Sequence, residues 1–256
     1  MTNSRVMKQR GQLMNCAALI TAGGVGLRMG SQLPKQYIEI DGVPIIARTI
    51  AAFDTHPCIS LIVVTVPAGD DSYFETNILG RYLFKKQVIV AQGGKTRQES
   101  VFNGLRELHS SELVAIHDGV RPFITQSVIS GVIERAKLKG ACIAALPVTE
   151  TVKRKRQDVL ETVPRDELWL AKTPQVFRTG LILAAHEEAA RHDINVTDDA
   201  ALLERIGSKV DIYEDSPFNI KITSKDDLVL GGILARLPEF NVVLRLKDNE
   251  SANSGR

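Results

Sequence analysis

A doubly wound α/β fold, with a mostly parallel Rossmann-like sheet and a protruding β-arm, is the architecture this 256-residue sequence predicts. Three observations point to it. Continuous Val/Ile/Leu/Ala runs recur from residue 16 onward, as strands covered on both faces require. Helical patterns separate those runs, which is the alternation of βαβ units. Glycine-rich or charged clusters follow the runs directly, where such folds bind ligands beyond the carboxyl ends of their strands.

The first run, Cys16-Ala17-Ala18-Leu19-Ile20-Thr21, reads as a buried strand followed by a glycine-rich turn. Pro44, a good first-turn residue, opens a helix carrying Ile45, Ile46, Ile50 and Phe53. A second apolar strand covers 61–66 and ends at Pro67, and further strands are expected over 88–91, 113–117 and 141–146. Helices are expected over 97–108 and 127–139. From Pro147 to Thr173 the rhythm breaks: polar and β-branched residues alternate, with the basic run Lys153-Arg154-Lys155-Arg156 and a turn at Gln157-Asp158. This is the pattern of an exposed hairpin, an arm over about 148–172. A detached hairpin is marginally stable alone, so packing on a second subunit is expected. A single domain over 15–240 is predicted, with a disordered tail over 1–14 and a C-terminal tail over 241–256.

Hydrophobic residues make up 44% of the chain and charged ones 24%, ordinary values for a globular protein. The net charge of +2 argues against a nucleic-acid binder, which carries a marked basic excess. No apolar run approaches the roughly 20 residues of a membrane span. Cys16, Cys58 and Cys142 are three thiols without metal-ligand spacing, which suits a reducing cytoplasm.

Four clusters carry chemistry. The first is Ala22-Gly23-Gly24-Val25-Gly26-Leu27-Arg28-Met29-Gly30, continued by Pro34-Lys35-Gln36. Its glycines bring backbone N–H groups close to an anion, and Arg28 and Lys35 add positive charge. Neither standard phosphate loop fits: G-x-x-x-x-G-K-[ST] is absent, and G-x-G-x-x-G would need glycine at Met29. The second cluster, Gly93-Gly94-Lys95-Thr96-Arg97-Gln98-Glu99-Ser100, joins a strand to a helix and puts Ser100 in the first helical turns. The third, His117-Asp118-Gly119-Val120-Arg121-Pro122, closes a strand. There Asp118 suits a metal ion or a ribose hydroxyl, and Arg121 either pairs with it or meets a second phosphate. His117 reads as a structural strand-end residue. The fourth combines Thr197-Asp198-Asp199, at the start of a helix, with Asn219-Ile220-Lys221-Ile222-Thr223, read as a short alternating strand. Thr197 is either an N-cap or a ligand group.

Taken together, A-G-G-x-G-x-R-M, P-K-Q, G-G-x-x-R-x-x-S-V, H-D-G-V-R-P, L-W-x-A-x-T-P-Q, T-D-D and N-I-K-I-T occur in this order over residues 16–238. The set resembles the 2-C-methyl-D-erythritol 4-phosphate cytidylyltransferase family of non-mevalonate isoprenoid biosynthesis. The resemblance implies a nucleotide-diphospho-sugar-transferase type of sheet, CTP and a sugar-alcohol phosphate as substrates, Mg²⁺, and a homodimer built through the arm. It also implies that Ala22, Gly23, Gly24, Gly26, Gly94, Ser100 and Gly119 surround the nucleotide. Arg28, Lys35 and Lys221 would act in catalysis, and Asp118 would sit at the nucleotide and metal. Arg121, Thr151, Lys153, Arg165 and Thr197 would receive the acceptor, with Arg165 coming from a partner's arm. Gly23 stands where the family usually has alanine, Gly119-Val120 where Ala-Ala is commoner, and Lys95 where some relatives have an acid.

Related activities fit less well. A D-ribitol-5-phosphate cytidylyltransferase shares most nucleotide motifs, but Leu168-Trp169-Leu170-Ala171 is closer to the methylerythritol enzymes. A hexose-phosphate nucleotidyltransferase suits neither P-K-Q nor the arm. A nucleotide sensor without activity would not need Arg28, Lys35 and Asp118 together.

Overall fold

The computed structural model describes residues 15–23, 33–108, 110–242 and 244–247. Seven strands form one sheet: β1 (Cys16–Thr21), β4 (Ile59–Val66), β5 (Val88–Gln92), β6 (Leu113–Asp118), β7 (Ala141–Pro147), β10 (Trp169–Arg178) and β11 (Asp211–Glu214). Two-residue strands β2 (Glu39–Ile40) and β3 (Val43–Pro44) pair separately, as do the arm strands β8 (Val152–Arg156) and β9 (Val159–Val163). The main sheet runs β11-β7-β10-β6-β1-β4-β5. All its pairings are parallel except those of β10, which lies antiparallel between β6 and β7. The mostly parallel sheet expected from the apolar runs is the one observed.

Helices cover both faces, and the pleat decides which residue meets which layer. On one face α1 (Ile45–Asp54) and α4 (Gln126–Lys139) pack on Ala18, Ile20, Ile62, Val64, Ala115 and Val176. On the other, α3 (Arg97–Leu105), α5 (Thr179–Arg191) and α6 (Ala200–Arg205) cover Ala17, Leu19, Val63, Val114, Ile116 and Phe177. The short helix α2 (Asp71–Phe74) lies between β4 and β5. Near the ligand end, α7 (Lys225–Leu234) closes a third cluster containing Ile40, Ile45, Val120, Phe123 and Ile222.

Three differences from the sequence expectation have local causes. Residues 219–223 form no strand. Ile222 is buried and Ile220 partly buried against the third cluster, while buried Asn219 is tied elsewhere, so one apolar wall produces the alternation without a strand partner. Helix α3 ends at Leu105, although Leu108 beyond it remains buried. Ordered chain also continues past residue 240: Leu246 bridges Tyr82, and Lys247 N–H donates to the Arg81 carbonyl at 2.9 Å.

The hairpin is present as expected. Val152 pairs with Val163 and Arg156 with Val159, around a turn in which Gln157 has φ 51°. Val159 and Leu160 at its tip are exposed, and so are Trp169 and Leu170 at its base. In a single chain the arm therefore leaves apolar surface uncovered.

Candidate active site

The loops after the strands converge because hydrogen bonds tie each to a neighbouring strand end. Ala22 N–H donates to the Thr65 carbonyl at 2.8 Å, Gly93 N–H to Val66 at 2.7 Å, and Gly119 N–H to Thr21 at 2.8 Å. A pocket of about 330 Å³ opens there, lined by Ala22, Gly23, Lys35, Gln36, Lys95, Ser100, Val120 and others. Helix α3 begins at its rim. Thr96 caps it by accepting from Glu99 N–H at 3.1 Å, and the Glu99 carboxylate accepts from Lys95 N–H at 2.6 Å. Ser100 Oγ accepts from Gly94 N–H at 3.0 Å and donates to the Thr96 carbonyl at 2.9 Å, which holds the paired glycines against the helix.

The departures at Gly23 and Gly119 match the local space. A Cβ on Gly119 would lie 2.8 Å from the Thr21 carbonyl oxygen and 2.9 Å from Ile46 Cδ1. At Gly23 it would meet Ser100 Oγ at 3.2 Å. Lys95 is exposed at the pocket rim. Gly24, Gly26 and Arg28 lie outside the described residues.

A second pocket of about 220 Å³ adjoins the first. Both are lined by Arg97, Asp118 and Lys221, so these three side chains form the shared wall. Asp118 is its centre. Arg97 Nε lies 3.1 Å from Oδ1, while Lys221 Nζ and Arg121 Nε approach Oδ2 at 2.9 and 3.3 Å. Burial pushes this carboxyl up, but Arg97, Lys221 and Arg121 together outweigh burial and hold it well below the usual carboxylate range.

Arg97 reaches further back, to Asp199 Oδ2 at 2.8 Å, and Asp199 in turn meets His186 Nε2 at 3.2 Å. Burial opposes the charge on Arg97, yet Asp199 and Asp118 raise its pKa overall. In the sequence this arginine stands inside the 93–100 cluster with nothing nearby to mark its role. Its two carboxylate partners lie 21 and 102 residues away, and only the fold brings them together.

Behind Asp118 the backbone is fixed through His117. Burial holds this imidazole down at about 4, so it is neutral near pH 7. One tautomer satisfies every neighbour: Nε2–H donates to the Arg121 carbonyl at 3.0 Å, and Nδ1 accepts from the Thr173 hydroxyl at 3.1 Å. Thr173 Oγ1 accepts from Asp118 N–H at 3.0 Å. His117 is therefore structural, as its strand-end position suggested.

Lys221 is held on both sides. Ile222 N–H donates to the Val120 carbonyl at 2.9 Å, and Asn219 Nδ2 donates to the Thr173 carbonyl at 2.8 Å. The second pocket is completed by Arg121, Ala171, Lys172, Thr173, Gln175, Thr197 and Asp198. Thr197 is not the cap of α6. Asp198 Oδ1 accepts from Ala201 N–H at 3.2 Å, and Gln175 Oε1 accepts from Asp199 and Ala200 N–H at 3.1 Å each. Gln175 and Asp198 were also without a role in the sequence reading.

Thr151, Lys153 and Arg165 line neither pocket. They belong to the arm and its base, where Lys153 Nζ donates to Thr162 Oγ1 at 2.6 Å and Arg165 to the Thr149 carbonyl.

The profile of the IspD family, 2-C-methyl-D-erythritol 4-phosphate cytidylyltransferase, matches residues 16–236. The chain belongs to this family. It is 43% identical over 228 residues to the 2-C-methyl-D-erythritol 4-phosphate cytidylyltransferase of Syntrophus aciditrophicus, covering 88% of this chain and 97% of that protein. The namesake from Geotalea uraniireducens is 41% identical over 221 residues, covering 85% and 95%. Among solved structures, the 4-diphosphocytidyl-2C-methyl-D-erythritol synthase of Anaerococcus prevotii superposes with a TM-score of 0.78 at 31% identity, covering 88% of this chain and 97% of that one. The cytidylyltransferase of Thermus thermophilus gives 0.73 at 32%, covering 88% and 100%. As in the rest of this family, the chain is a nucleotidyltransferase.

The cytidylyltransferase wall does not make a cage for a divalent cation. Among the described residues Asp118 is the only carboxylate lining the first pocket, and it already receives three cationic side chains. Among the described residues no group of three or more His, Cys, Asp or Glu side chains converges. The metal role expected of Asp118 thus lacks a matching donor set.

Removing Arg97 takes one of three cations from Asp118 and leaves buried Asp199 with His186 as its remaining ion-pair partner, so Arg97→Ala is expected to lower stability by about 3–5 kcal/mol, measured by urea unfolding. The pKa of His117 when folded lies below its unfolded value of about 6.5. Its contribution is complete above that unfolded value and is lost as pH falls towards about 4. Urea midpoints should drop through this window, and His117→Gln should flatten the drop, by an amount on the order of 3 kcal/mol.

Proposed function

We propose that the protein transfers CMP from CTP to 2-C-methyl-D-erythritol 4-phosphate, releasing pyrophosphate. The observation that carries this reading is the shared wall of Arg97, Asp118 and Lys221 between two pockets. CTP occupies the larger pocket, with Ala22, Gly23, Gly94, Ser100 and Gly119 about its base and ribose. Gly24, Gly26 and Arg28 belong to the same grip. The acceptor lies in the smaller pocket against Arg121 and Thr197. The two phosphates meet at the wall.

Both substrates are polyanions and repel one another, so alignment and charge neutralisation are the main tasks. An oxygen of the acceptor phosphate attacks the α-phosphorus in line. The new O–P bond forms as the bond to the bridging oxygen breaks, and pyrophosphate departs with that electron pair. A phosphate monoester is already ionised near neutral pH, its second pKa being about 6, so no general base is needed. Lys35, Arg28 and Lys221 stabilise the charge on the transferring group. Asp118 holds Lys221 and Arg121 in place for this. Magnesium would be held by the phosphate oxygens and water, where it neutralises the triphosphate.

The exposed apolar tip, and the fact that Thr151, Lys153 and Arg165 line neither pocket, support a homodimer in which each arm completes the partner's acceptor site. Among the described residues no helix is long and apolar enough to cross a membrane. We place the enzyme in the cytoplasm, where CTP is available and Cys16, Cys58 and Cys142 remain free thiols.

Pyrophosphate release with CTP and each candidate acceptor tests the activity, and D-ribitol 5-phosphate is expected to be the poorer acceptor. Lys35→Ala should slow the single-turnover rate by about a hundredfold or more with little change in CTP affinity. An unchanged rate would remove Lys35 from catalysis. Mixing inactive Lys35→Ala and inactive Arg165→Ala protomers should restore part of the activity through hybrid sites. Exchange of subunits without any recovery would exclude the shared site.

A further inference from the structure

One wall of the smaller pocket comes from an irregularity in β10. Ala171 pairs with Ala145 and Gln175 with Ile143, so residues 172, 173 and 174 stand opposite Ala144 alone. In an unbroken strand Lys172 and Thr173 would point to opposite faces. The bulge brings both to the pocket, together with Ala171 and Gln175.

Lys172 is only 13% exposed in its side chain. Its Nζ donates to the Ser216 carbonyl at 3.3 Å and stands 3.8 Å from Asp215 Oδ2, too far for a second hydrogen bond. An ammonium has three donors, so capacity remains. Burial lowers its pKa, Asp215 raises it, and Arg121 lowers it further. Gln175 is committed at both ends, with Oε1 accepting two backbone N–H groups and Nε2 donating to Asp198 Oδ2 at 2.8 Å. Lys172, by contrast, has donors in reserve.

Position then indicates what those donors meet. Arg97, Asp118 and Lys221 border both pockets, whereas Lys172, Gln175, Thr197 and Asp198 border only the smaller one. The phosphates join at the shared wall, so the carbon chain of the acceptor extends towards Lys172. We propose that Lys172 donates a hydrogen bond to a hydroxyl of the acceptor's polyol chain and sets which sugar-alcohol phosphate is accepted. This assignment rests on the cytidylyltransferase reading above.

The test uses the full chain with CTP and either 2-C-methyl-D-erythritol 4-phosphate or D-ribitol 5-phosphate. Lys172→Met should lower kcat/KM for the methylerythritol substrate about tenfold or more. The loss should fall on the acceptor's KM and not on the KM for CTP, and the preference between the two acceptors should narrow. Lys172→Arg should recover part of it. Because Lys172→Met takes the cation away from buried Asp215, which keeps Asn219 and the Ser216 N–H, the double variant Lys172→Met/Asp215→Asn serves as its control and should keep the raised acceptor KM. An unmoved acceptor KM in both variants overturns the proposal. It is equally overturned if the loss falls on kcat with a lower melting temperature and Asp215→Asn repairs both, since Lys172 would then only anchor the chain around Ser216. Failure of the unsubstituted enzyme to release pyrophosphate with either acceptor would instead defeat the cytidylyltransferase reading itself.

Discussion

The site depends on one buried carboxylate that gathers three cations. Side chains of like charge do not crowd together unaided, and Arg97, Arg121 and Lys221 arrive from α3, the loop after β6 and the loop before α7. Asp118 makes their convergence favourable. The arrangement keeps positive charge to spare for two phosphates while buried carboxylates offset part of it before any substrate binds. Asp199 extends the balance by taking the far side of the Arg97 guanidinium, with His186 beneath it. The hub is held by backbone as much as by charge. His117 and Thr173 fix Asp118 and Arg121 through a chain of neutral hydrogen bonds that needs no proton from solvent at neutral pH.

Much of this was legible in the sequence because local rules governed it. The strands of the parallel sheet declared themselves as apolar runs, and the arm as a break in their rhythm. Asp118 and Ser100 were legible because strand ends and helix starts are where such folds place polar groups. Arg97 was not, since its meaning lies in Asp199, an ordinary residue in a T-D-D string 102 positions later. Gln175 was missed for a similar reason, because its side chain caps a helix to which it does not belong. Residues 219–223 misled in another way. Their alternation was real but recorded one buried wall, and period alone does not reveal whether a strand partner exists.

The arm holds Thr151, Lys153 and Arg165 outside the linings of both pockets. Lys153 sits on a hairpin whose apolar tip is uncovered, and Thr151 and Arg165 flank its strands. Such a device makes little sense for an isolated subunit. The proposed homodimer accounts for it, since one interface would cover the hairpin and complete two sites.

The bulge in β10 has a consequence for how such enzymes diversify. The pocket on the β1, β4 and β5 side is framed by parallel strands whose ends are mutually hydrogen-bonded, so little there can change without disturbing its neighbours. The antiparallel β10 presents its extra residues to the smaller pocket alone. Within the proposed division of the pockets, selection can retune the recipient at Lys172 while leaving the donor's grip intact, whereas the adjoining Thr173 is tied to Asp118 and His117. Inheritance of one half and drift in the other would let a single ancestral scaffold serve several metabolic routes.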